Sequence, residues 1–301
     1  MSAAPIRSML FVPGDSERKI EKSQASRADA LVLDLEDSVA PARKATARAM
    51  VAEMLAGAGG GGPALWVRVN PVSTPECLAD LAAIVRGRPA GILLPKADGP
   101  QEVVRVGHCL DALEARDGVA PGAIRILPVA TETPRAALAL AEYRHHAPSR
   151  LFGLTWGAED LAAAIGAAAN TDEDGRLSLT YRTVRSLTLL AAKAAQVEAI
   201  DTVYPDFRDL DGLRRSAIAA RREGFTGRFA IHPDQVEIIN AAFSPSEADI
   251  AFAERVVAAF AAMPDTGVVG VDGKMLDRPH LVQAGKVLAL RDAYARRHEG
   301  K

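Results

Sequence analysis

The chain has 301 residues, 49% of them hydrophobic and 25% charged, a composition typical of globular proteins and unlike that of disordered or fibrous ones. Lys and Arg number 36, Asp and Glu number 38, and the formal net charge is -2, with the signs interleaved along the chain. We therefore expect no broad basic face of the kind that binds nucleic acid.

Three features of the sequence bear on where the protein resides. The longest stretch without Asp, Glu, Lys or Arg, residues 54–67, contains a run of glycines and a proline, so no membrane-spanning helix is predicted. Arg7 and Pro13 interrupt the first apolar run too early for a signal peptide. Cys77 and Cys109 are the only cysteines, too few for a disulfide scaffold or a zinc cluster. We expect a cytoplasmic protein.

Short apolar runs rich in β-branched residues alternate with longer alanine-rich segments of helical periodicity, the pattern of a parallel sheet covered by helices. Eight strands are predicted, over residues 8–12, 30–34, 65–69, 91–94, 124–129, 151–154, 199–203 and 228–231. Helices are predicted between them, for example over 42–55, 101–115 and 210–223. Eight strand–helix units in about 245 residues indicate a (β/α)8 TIM barrel, because open doubly wound sheets usually stop at five or six strands.

The sequence continues beyond the eighth unit. A helix over 246–263, a turn-rich stretch over 268–276 and a last helix over 279–296 are predicted there. We therefore divide the chain into a barrel catalytic domain, residues 1–243, and a C-terminal helical extension, residues 244–301, that can cover the active site of a neighbouring subunit.

Charged residues collect in the loops that follow the predicted strands, which is the end of a barrel where active sites are built. They are Glu36 and Asp37 after the second strand, Arg68 in the third, Glu132 after the fifth and Asp160 after the sixth. Burying such groups costs several kcal/mol per ion unless something pairs with them. The cluster indicates a functional site at this rim.

Glu132 and Asp160 follow adjacent strands, so their carboxylates can meet and repel each other unless a proton or a cation lies between them. Mg²⁺ fits, because it binds through one or two protein carboxylates and keeps positions for water and substrate. Zinc is disfavoured without Cys or clustered His ligands. The alternative is that these acids cap the following helices, and the neighbouring Glu159 could exchange roles with Asp160.

Arg68 offers a planar fork suited to bidentate binding of a substrate carboxylate. The alternative is a salt bridge to Glu36 or Asp37, and the two roles can coexist. Glu36 and Asp37 could also hydrogen-bond the water ligands of a metal.

These motifs resemble those of the citrate lyase beta subunit family, which includes malyl-CoA and citramalyl-CoA lyases and belongs with the HpcH/HpaI aldolases. The resemblance runs nearly end to end. It rests on RSMLFVPGDSERKIEKS (7–23), DALVLDLEDSVAPARK (29–44), LWVRVNP (65–71), GILLPKAD (91–98), TETPRA (131–136), GLTWGAEDLAAAIG (153–166), AIHPDQV (230–236), FSPSEAD (243–249) and VDGKMLDRP (271–279). It implies a Mg²⁺-dependent barrel in which Glu132 and Asp160 resemble the metal-binding acids and Arg68 the arginine that holds the substrate carboxylate.

The resemblance also implies a reaction. An oxo-acid lyase of this kind cleaves or forms a 3-hydroxyacyl-CoA, such as malyl-CoA or citramalyl-CoA, giving an acyl-CoA and a 2-oxo acid: glyoxylate, pyruvate or oxaloacetate. One alternative is a citrate lyase beta subunit that cleaves a citryl thioester on a carrier protein, and another is a non-enzymatic barrel that only binds 2-oxo acids. The family context disfavours a Schiff base on Lys96, for which a structural or substrate-facing ion pair is expected.

In the malyl-CoA-type enzymes a C-terminal aspartate from a neighbouring subunit handles the proton of the thioester enolate, and Asp277 matches it. The alternative is that Asp277 caps the helix opening at Pro279. The implied assembly is a homo-oligomer, a trimer or a hexamer. The extension also favours free CoA over a carrier protein, and Arg18 and Lys22 could bind CoA phosphates, although basic residues on a first helix usually form a solvated face.

Overall fold

The computed structural model describes residues 5–59, 61–145, 148–264 and 266–299. The strands are β1 (Ser8–Pro13), β2 (Ala30–Asp34), β3 (Ala64–Arg68), β4 (Gly91–Leu94), β5 (Arg125–Pro128), β6 (Gly153–Leu154), β7 (Glu198–Asp201), β8 (Gly227–Ala230), β9 (Val268–Val271) and β10 (Lys274–Asp277). The α-helices are α1 (Glu17–Gln24), α2 (Lys44–Gly57), α3 (Glu76–Ile84), α4 (Pro100–Asp117), α5 (Pro134–Ala139), α6 (Glu159–Ile165), α7 (Leu179–Ala194), α8 (Leu210–Glu223), α9 (Asp234–Phe243), α10 (Glu247–Ala262) and α11 (Arg278–Glu299). Within these ranges no helix has both the length and the apolar character needed to cross a bilayer.

Strands β1 to β8 form one parallel sheet in the order β5-β4-β3-β2-β1-β8-β7-β6. The two edge strands approach each other through parallel bridges that join Ile126 to Leu151 and Val129 to Thr155. The sheet is thereby closed into a barrel with helices between its strands, which confirms the predicted (β/α)8 fold. The predicted strand ends lie within two residues of those observed.

Two apolar layers explain why these runs form strands of a barrel. Leu31 and Leu33 of β2 belong to the large cluster between the sheet and the helices, whereas Val32 packs into a smaller interior cluster with Trp66 and Phe229. Alternate residues of one strand therefore face opposite apolar layers. This double burial requires the continuous apolar runs that mark the strands in the sequence.

A charged network lies at the carboxyl end of β7. Asp201, 1% exposed, accepts hydrogen bonds from Trp156 Nε1 at 2.7 Å and Arg185 Nε at 3.2 Å, and Arg228 Nη2 lies 3.7 Å away. Burial alone would raise the pKa of Asp201, but the two arginines outweigh it and hold that pKa below its ordinary value. The carboxylate thus stays ionised and ties β6 to β7 and β8.

Beyond α9 the chain forms an extension of two helices and an antiparallel hairpin. Ser246 and Asp249 form a capping box at the start of α10. The stretch over 268–276, predicted only as turn-rich, instead contains β9 and β10. Their turn is made by Asp272 and Gly273, with φ of 50° and 75°, the conformation that Asp-Gly favours between hairpin strands.

The extension has an apolar cluster of its own and is attached to the barrel. The cluster consists of Ala253, Val256, Phe260, Val269, Val271, Leu276 and Ala284. On α11, the ring of Tyr294 lies 4.4 Å from the guanidinium carbon of Arg7, the residue before β1. This contact is at the amino end of the barrel strands. The division at residues 243 and 244 stays a prediction.

We expect Asp201→Asn to lower the free energy of unfolding by about 3–5 kcal/mol, because it leaves buried arginines without their carboxylate. The same change at the exposed Arg255–Asp272 pair, Asp272→Asn, should cost less than about 1 kcal/mol. Urea denaturation of both variants measures the difference. The depressed pKa also means that wild-type stability is lost as pH falls through the acid range, and this loss should be smaller in Asp201→Asn. Equal stability of the two variants would contradict a role for the network.

Candidate active site

A cavity of about 300 Å³ opens at the carboxyl ends of the barrel strands. Its charged lining residues are Asp37, Arg68, Glu132, Glu159 and Asp160. Its apolar wall includes residues of β1, β4 and β8 and Val129, which follows β5. Four of the residues predicted for the site therefore meet in one cavity.

Arg68, at the end of β3, is held mainly by a residue that the sequence analysis missed. Its Nε and Nη2 each donate to one carboxylate oxygen of Asp34 at 2.6 Å. Its Nη1 lies 3.1 Å from Glu36 Oε2 and 3.3 Å from Asp37 Oδ2, and the guanidinium lies over the Phe11 ring at 4.9 Å. The salt bridges given as the alternative are present, and Asp34 in addition occupies the Nε and Nη2 edge of the guanidinium. Binding of a substrate carboxylate stays a prediction, and it must use Nη1 or Nη2.

Asp34 is the last residue of β2 and organises the loop that follows. Its two oxygens also accept the backbone N–H groups of Glu36 at 2.9 Å and Ser38 at 3.1 Å. Burial would raise the pKa of Asp34, but the hydrogen bonds from Arg68 dominate and hold the pKa below its ordinary value. A charged residue ending an otherwise apolar strand was the sequence signal for this role.

Lys96 follows β4 and contacts several of the acids. Its backbone N–H donates to Glu132 Oε2 at 2.6 Å, and its ammonium group donates to Glu36 Oε1. The same nitrogen lies 3.5 Å from Asp160 Oδ1 and 3.6 Å from Asp37 Oδ1. Burial alone would lower the pKa of Lys96, but Glu36 outweighs it and raises the pKa above the ordinary value. The side chain is therefore a charged ion-pair partner, as expected, and not the free amine that a Schiff base requires.

Glu132 is the most perturbed acid of the cavity. It is 7% exposed, and burial, reinforced by the charge of Asp160, raises its pKa to about 8. Gly157 packs against it closely, since a Cβ there would lie 3.3 Å from Glu132 Oε1. To be ionised at neutral pH, Glu132 needs more positive charge beside it than Lys96 supplies. Carboxylate oxygens are ligands that suit Mg²⁺.

The described residues fit a cation bound by few protein ligands. Among them, no three His, Cys, Asp or Glu side chains are arranged to hold a metal together. Glu132 and Asp160 would supply two carboxylates, and water and substrate would supply the other ligands, which is how Mg²⁺ is commonly held. A zinc centre of Cys and His has no counterpart in this cavity.

One of the two predicted CoA-binding residues lies at a larger cavity of about 560 Å³. Phe11 and Ile231 line both cavities, so the two adjoin. Lys22 lines the larger one together with Lys19, whereas Arg18 is exposed and is not among its lining residues.

Asp277 does not line the cavity of its own barrel. It ends β10 immediately before α11, and its exposed carboxylate contacts His280 Nδ1. This contact holds the pKa of Asp277 below its ordinary value.

The architecture and these motifs match a known family. The model of the HpcH/HpaI aldolase/citrate lyase family matches residues 7–233. The chain belongs to this family. Its members include the citrate lyase subunit beta of Escherichia coli, 35% identical over 94% of this chain and 92% of that protein. The prediction of an oxo-acid lyase is thereby confirmed at the level of the family.

Other relatives carry different names. The (3S)-malyl-CoA thioesterase of Cereibacter sphaeroides is 39% identical over 297 residues, 97% of each chain. The mitochondrial citramalyl-CoA lyase of Rattus norvegicus is 33% identical over 95% of this chain and 86% of that protein. The structure of CitE from Mycobacterium tuberculosis with magnesium, acetoacetate and coenzyme A has a TM-score of 0.77 and 33% identity, covering 96% of this chain and 98% of that one.

The raised pKa of Glu132 leads to a pH-dependent metal affinity. Below about pH 8 the carboxyl group binds a proton that Mg²⁺ must displace, so the affinity should rise with pH, by up to about tenfold per unit between pH 6 and pH 8. Calorimetric titration in two buffers of different ionisation enthalpy measures both the affinity and the released proton. Glu132→Gln should lose both tight binding and its pH dependence. A wild-type affinity that stays constant over this range would contradict the assignment.

Proposed function

We propose that the protein is a Mg²⁺-dependent lyase that cleaves, or in reverse forms, a 3-hydroxyacyl-CoA such as malyl-CoA or citramalyl-CoA. The products of cleavage are an acyl-CoA and a short 2-oxo acid, glyoxylate or pyruvate. The observation that carries the proposal is the pair Glu132 and Asp160 in one small cavity, with Arg68 beside them. The related CitE structure with magnesium, acetoacetate and coenzyme A supports it.

Each part of the cavity has a role in this reaction. Glu132 and Asp160 would hold Mg²⁺, which supplies Lewis acidity to the oxygens of the oxo acid when bound. Arg68, through Nη1 or Nη2, which it would share with its acidic neighbours, would orient the carboxylate of the oxo acid. The apolar wall, with Leu93 and Phe229, excludes water from the reacting carbon atoms.

The larger cavity is the proposed site of the CoA portion. It shares Phe11 and Ile231 with the smaller cavity, so a bound thioester could extend from one into the other. Lys19 and Lys22 line it and can pair with phosphate groups. Arg18, on the same helix, is the weaker candidate because it does not line the cavity.

Asp277 is proposed to act in the site of a neighbouring subunit. It is exposed and lies outside its own cavity, and α11, which follows it, contacts Arg7 at the opposite end of the barrel strands from the site. In cleavage Asp277 would protonate the thioester enolate, and in condensation it would remove the proton from the acyl carbon. The proposal requires a homo-oligomer, a trimer or a hexamer.

A thioesterase acting on (3S)-malyl-CoA is a second candidate, favoured by the 39% identity to the proteins of that name. It would hydrolyse the thioester and release free CoA and a hydroxy acid.

A citrate lyase beta subunit working on a carrier protein is the third candidate function, supported by the 35% identity to the Escherichia coli protein. A barrel that only binds 2-oxo acids would bind Mg²⁺ and ligand without turnover.

Malyl-, citramalyl- and citryl-CoA and a citryl thioester on a carrier protein, each with Mg²⁺ or with EDTA, separate these reactions. Carbon–carbon cleavage should release a 2-oxo acid with no free thiol, and EDTA should abolish it. Free thiol without oxo acid would favour the thioesterase, turnover of only a carrier-bound citryl thioester would favour the beta subunit, and no turnover would favour the binding protein.

Glu132→Gln and Asp160→Asn should each lower kcat/KM by about a hundredfold or more. Glu159→Gln, in the same first turn of α6, is the matched control, and a greater loss there than in Asp160→Asn would exchange their roles.

Subunit mixing tests the role of Asp277. Glu132→Gln and Asp277→Asn, each inactive alone, should regain about a quarter of wild-type activity when equal amounts are mixed and allowed to exchange subunits. The reason is that one in four sites would combine an intact barrel with an intact neighbouring aspartate. Differently tagged subunits confirm the exchange. No recovery in mixed oligomers, or full activity of Asp277→Asn, would contradict the role in trans.

A further inference from the structure

Glu132 and Asp160, the two acids proposed to bind the metal, share one protein partner, Lys96. The backbone N–H of Lys96 donates to Glu132 Oε2 at 2.6 Å, and its ammonium nitrogen lies 3.5 Å from Asp160 Oδ1. Within the described part of the chain, neither carboxylate has another hydrogen bond or ion pair. Asp34, in contrast, accepts hydrogen bonds from Arg68 and from two backbone N–H groups. The polar contacts of both proposed ligands therefore depend on a single residue.

The ammonium group of Lys96 is held more firmly by Glu36 than by Asp160. It donates a hydrogen bond to Glu36, whose side chain is only 5% exposed. The side chain of Asp160 is 37% exposed, and the 3.5 Å that separates it from the ammonium nitrogen is longer than an ordinary hydrogen bond. An ion pair that is partly open to water contributes little free energy. The ammonium group can therefore leave Asp160 while it keeps its bond to Glu36.

A metal ion bound by Glu132 and Asp160 would have to share Asp160 with this ammonium group. Both are cations, and like charges that lie side by side in a partly buried space repel each other. The second cation of the site, Arg68, has no such conflict, because among the described residues it forms ion pairs only with acids of β2 and of the loop after it. Lys96 is thus the cation whose position opposes metal binding.

We propose that the Lys96 ammonium group is the internal counter-ion of the metal site, and that Mg²⁺ displaces it from Asp160. The inference rests on the proposed function, in which Glu132 and Asp160 hold Mg²⁺. Before Mg²⁺ binds, the ammonium group offsets the charge of Asp160, and afterwards it remains with Glu36. Its charge lowers the affinity for Mg²⁺, whereas the backbone N–H of the same residue keeps Glu132 in place. Lys96 is therefore a positioning residue that sets how tightly the metal binds.

Calorimetric titration with Mg²⁺ tests this role in variants of position 96. Lys96→Met removes the charge, so its affinity for Mg²⁺ should be about tenfold higher than that of the wild type, or more. Lys96→Gln keeps a donor for Glu36 and should show the same rise, which also covers the case in which Lys96→Met does not fold. Lys96→Arg keeps the charge and should stay within about threefold of the wild type. All four side chains carry a Cβ, so the cost of the φ of 52° is shared and the comparison isolates the charge.

Arg135→Met is the matched control for a general effect of charge. Arg135 lies in the first turn of α5, its side chain is exposed, and its nearest acid is Asp98 at 3.8 Å. The control removes a positive charge at the same end of the barrel without a contact to either proposed ligand. Its affinity for Mg²⁺ should change by less than about threefold, because water and salt screen an exposed charge.

Urea denaturation gives a second measurement that does not depend on activity. In EDTA the midpoint of Lys96→Met should lie below that of the wild type, because the acids lose their counter-ion. Addition of Mg²⁺ should raise the midpoint more in Lys96→Met than in the wild type, since the variant binds the metal more tightly.

The outcomes separate the inference from the proposed function. If the wild type binds Mg²⁺ and Lys96→Met binds it equally or less tightly, the inference is overturned and the proposed function stands. An equal rise in Arg135→Met would assign the effect to overall charge and would also overturn the inference, as would an unchanged midpoint of Lys96→Met in EDTA. If the wild type does not bind Mg²⁺, the proposed function and the inference fail together.

Discussion

The site depends on compensation of negative charge in a partly buried space. Five carboxyl groups surround two cationic side chains, and Arg68 and Lys96 each contact more than one of them. The acids are Asp34, Glu36, Asp37, Glu132 and Asp160. Arg68 satisfies Asp34 fully, but Glu132 keeps a pKa of about 8 despite its bond to Lys96. Arg68 pairs only with acids of β2 and of the loop after it, and the Lys96 ammonium group is shared between that loop and Asp160. Glu132 and Asp160 therefore have little positive charge beside them, and a divalent ion would be stabilised there.

The turn after β4 shows how the fold maintains this arrangement. Lys96 has a φ of 52°, an uncommon and costly conformation for a residue with a side chain. In that conformation its backbone N–H holds Glu132 while its ammonium group reaches Glu36 and Asp160. One residue thus links acids from three strands, which the parallel barrel brings to the same end. Strain at this turn is offset by the charge contacts that it makes possible.

The sequence predicted the barrel and most of the cavity because both depend on periodic patterns. Apolar runs define strands, and the residue after each strand lies at the same rim, so the clustering of Glu132 with Asp160 followed from strand order alone. The pairing of Arg68 with Asp34 did not, because it depends on side-chain direction at the strand ends and Asp34 was assigned to the strand itself. The hairpin in the extension was missed although its Asp-Gly turn was visible in the sequence.

The extension differs from the barrel in how its polar groups are fixed. In the cavity, Arg68, Lys96 and Glu132 are each held by contacts from other strands. The carboxylate of Asp277, by contrast, contacts His280 in the next turn of its own segment, and the apolar residues of the hairpin beside it are buried within the extension. The fold of a single subunit thus brings Glu132 and Asp160 together, but among the described residues the Asp277 carboxylate has no hydrogen bond or ion pair beyond that with His280. A catalytic role for Asp277 accordingly requires orienting contacts from a second barrel, which makes assembly, and not folding alone, the step that completes the proposed site.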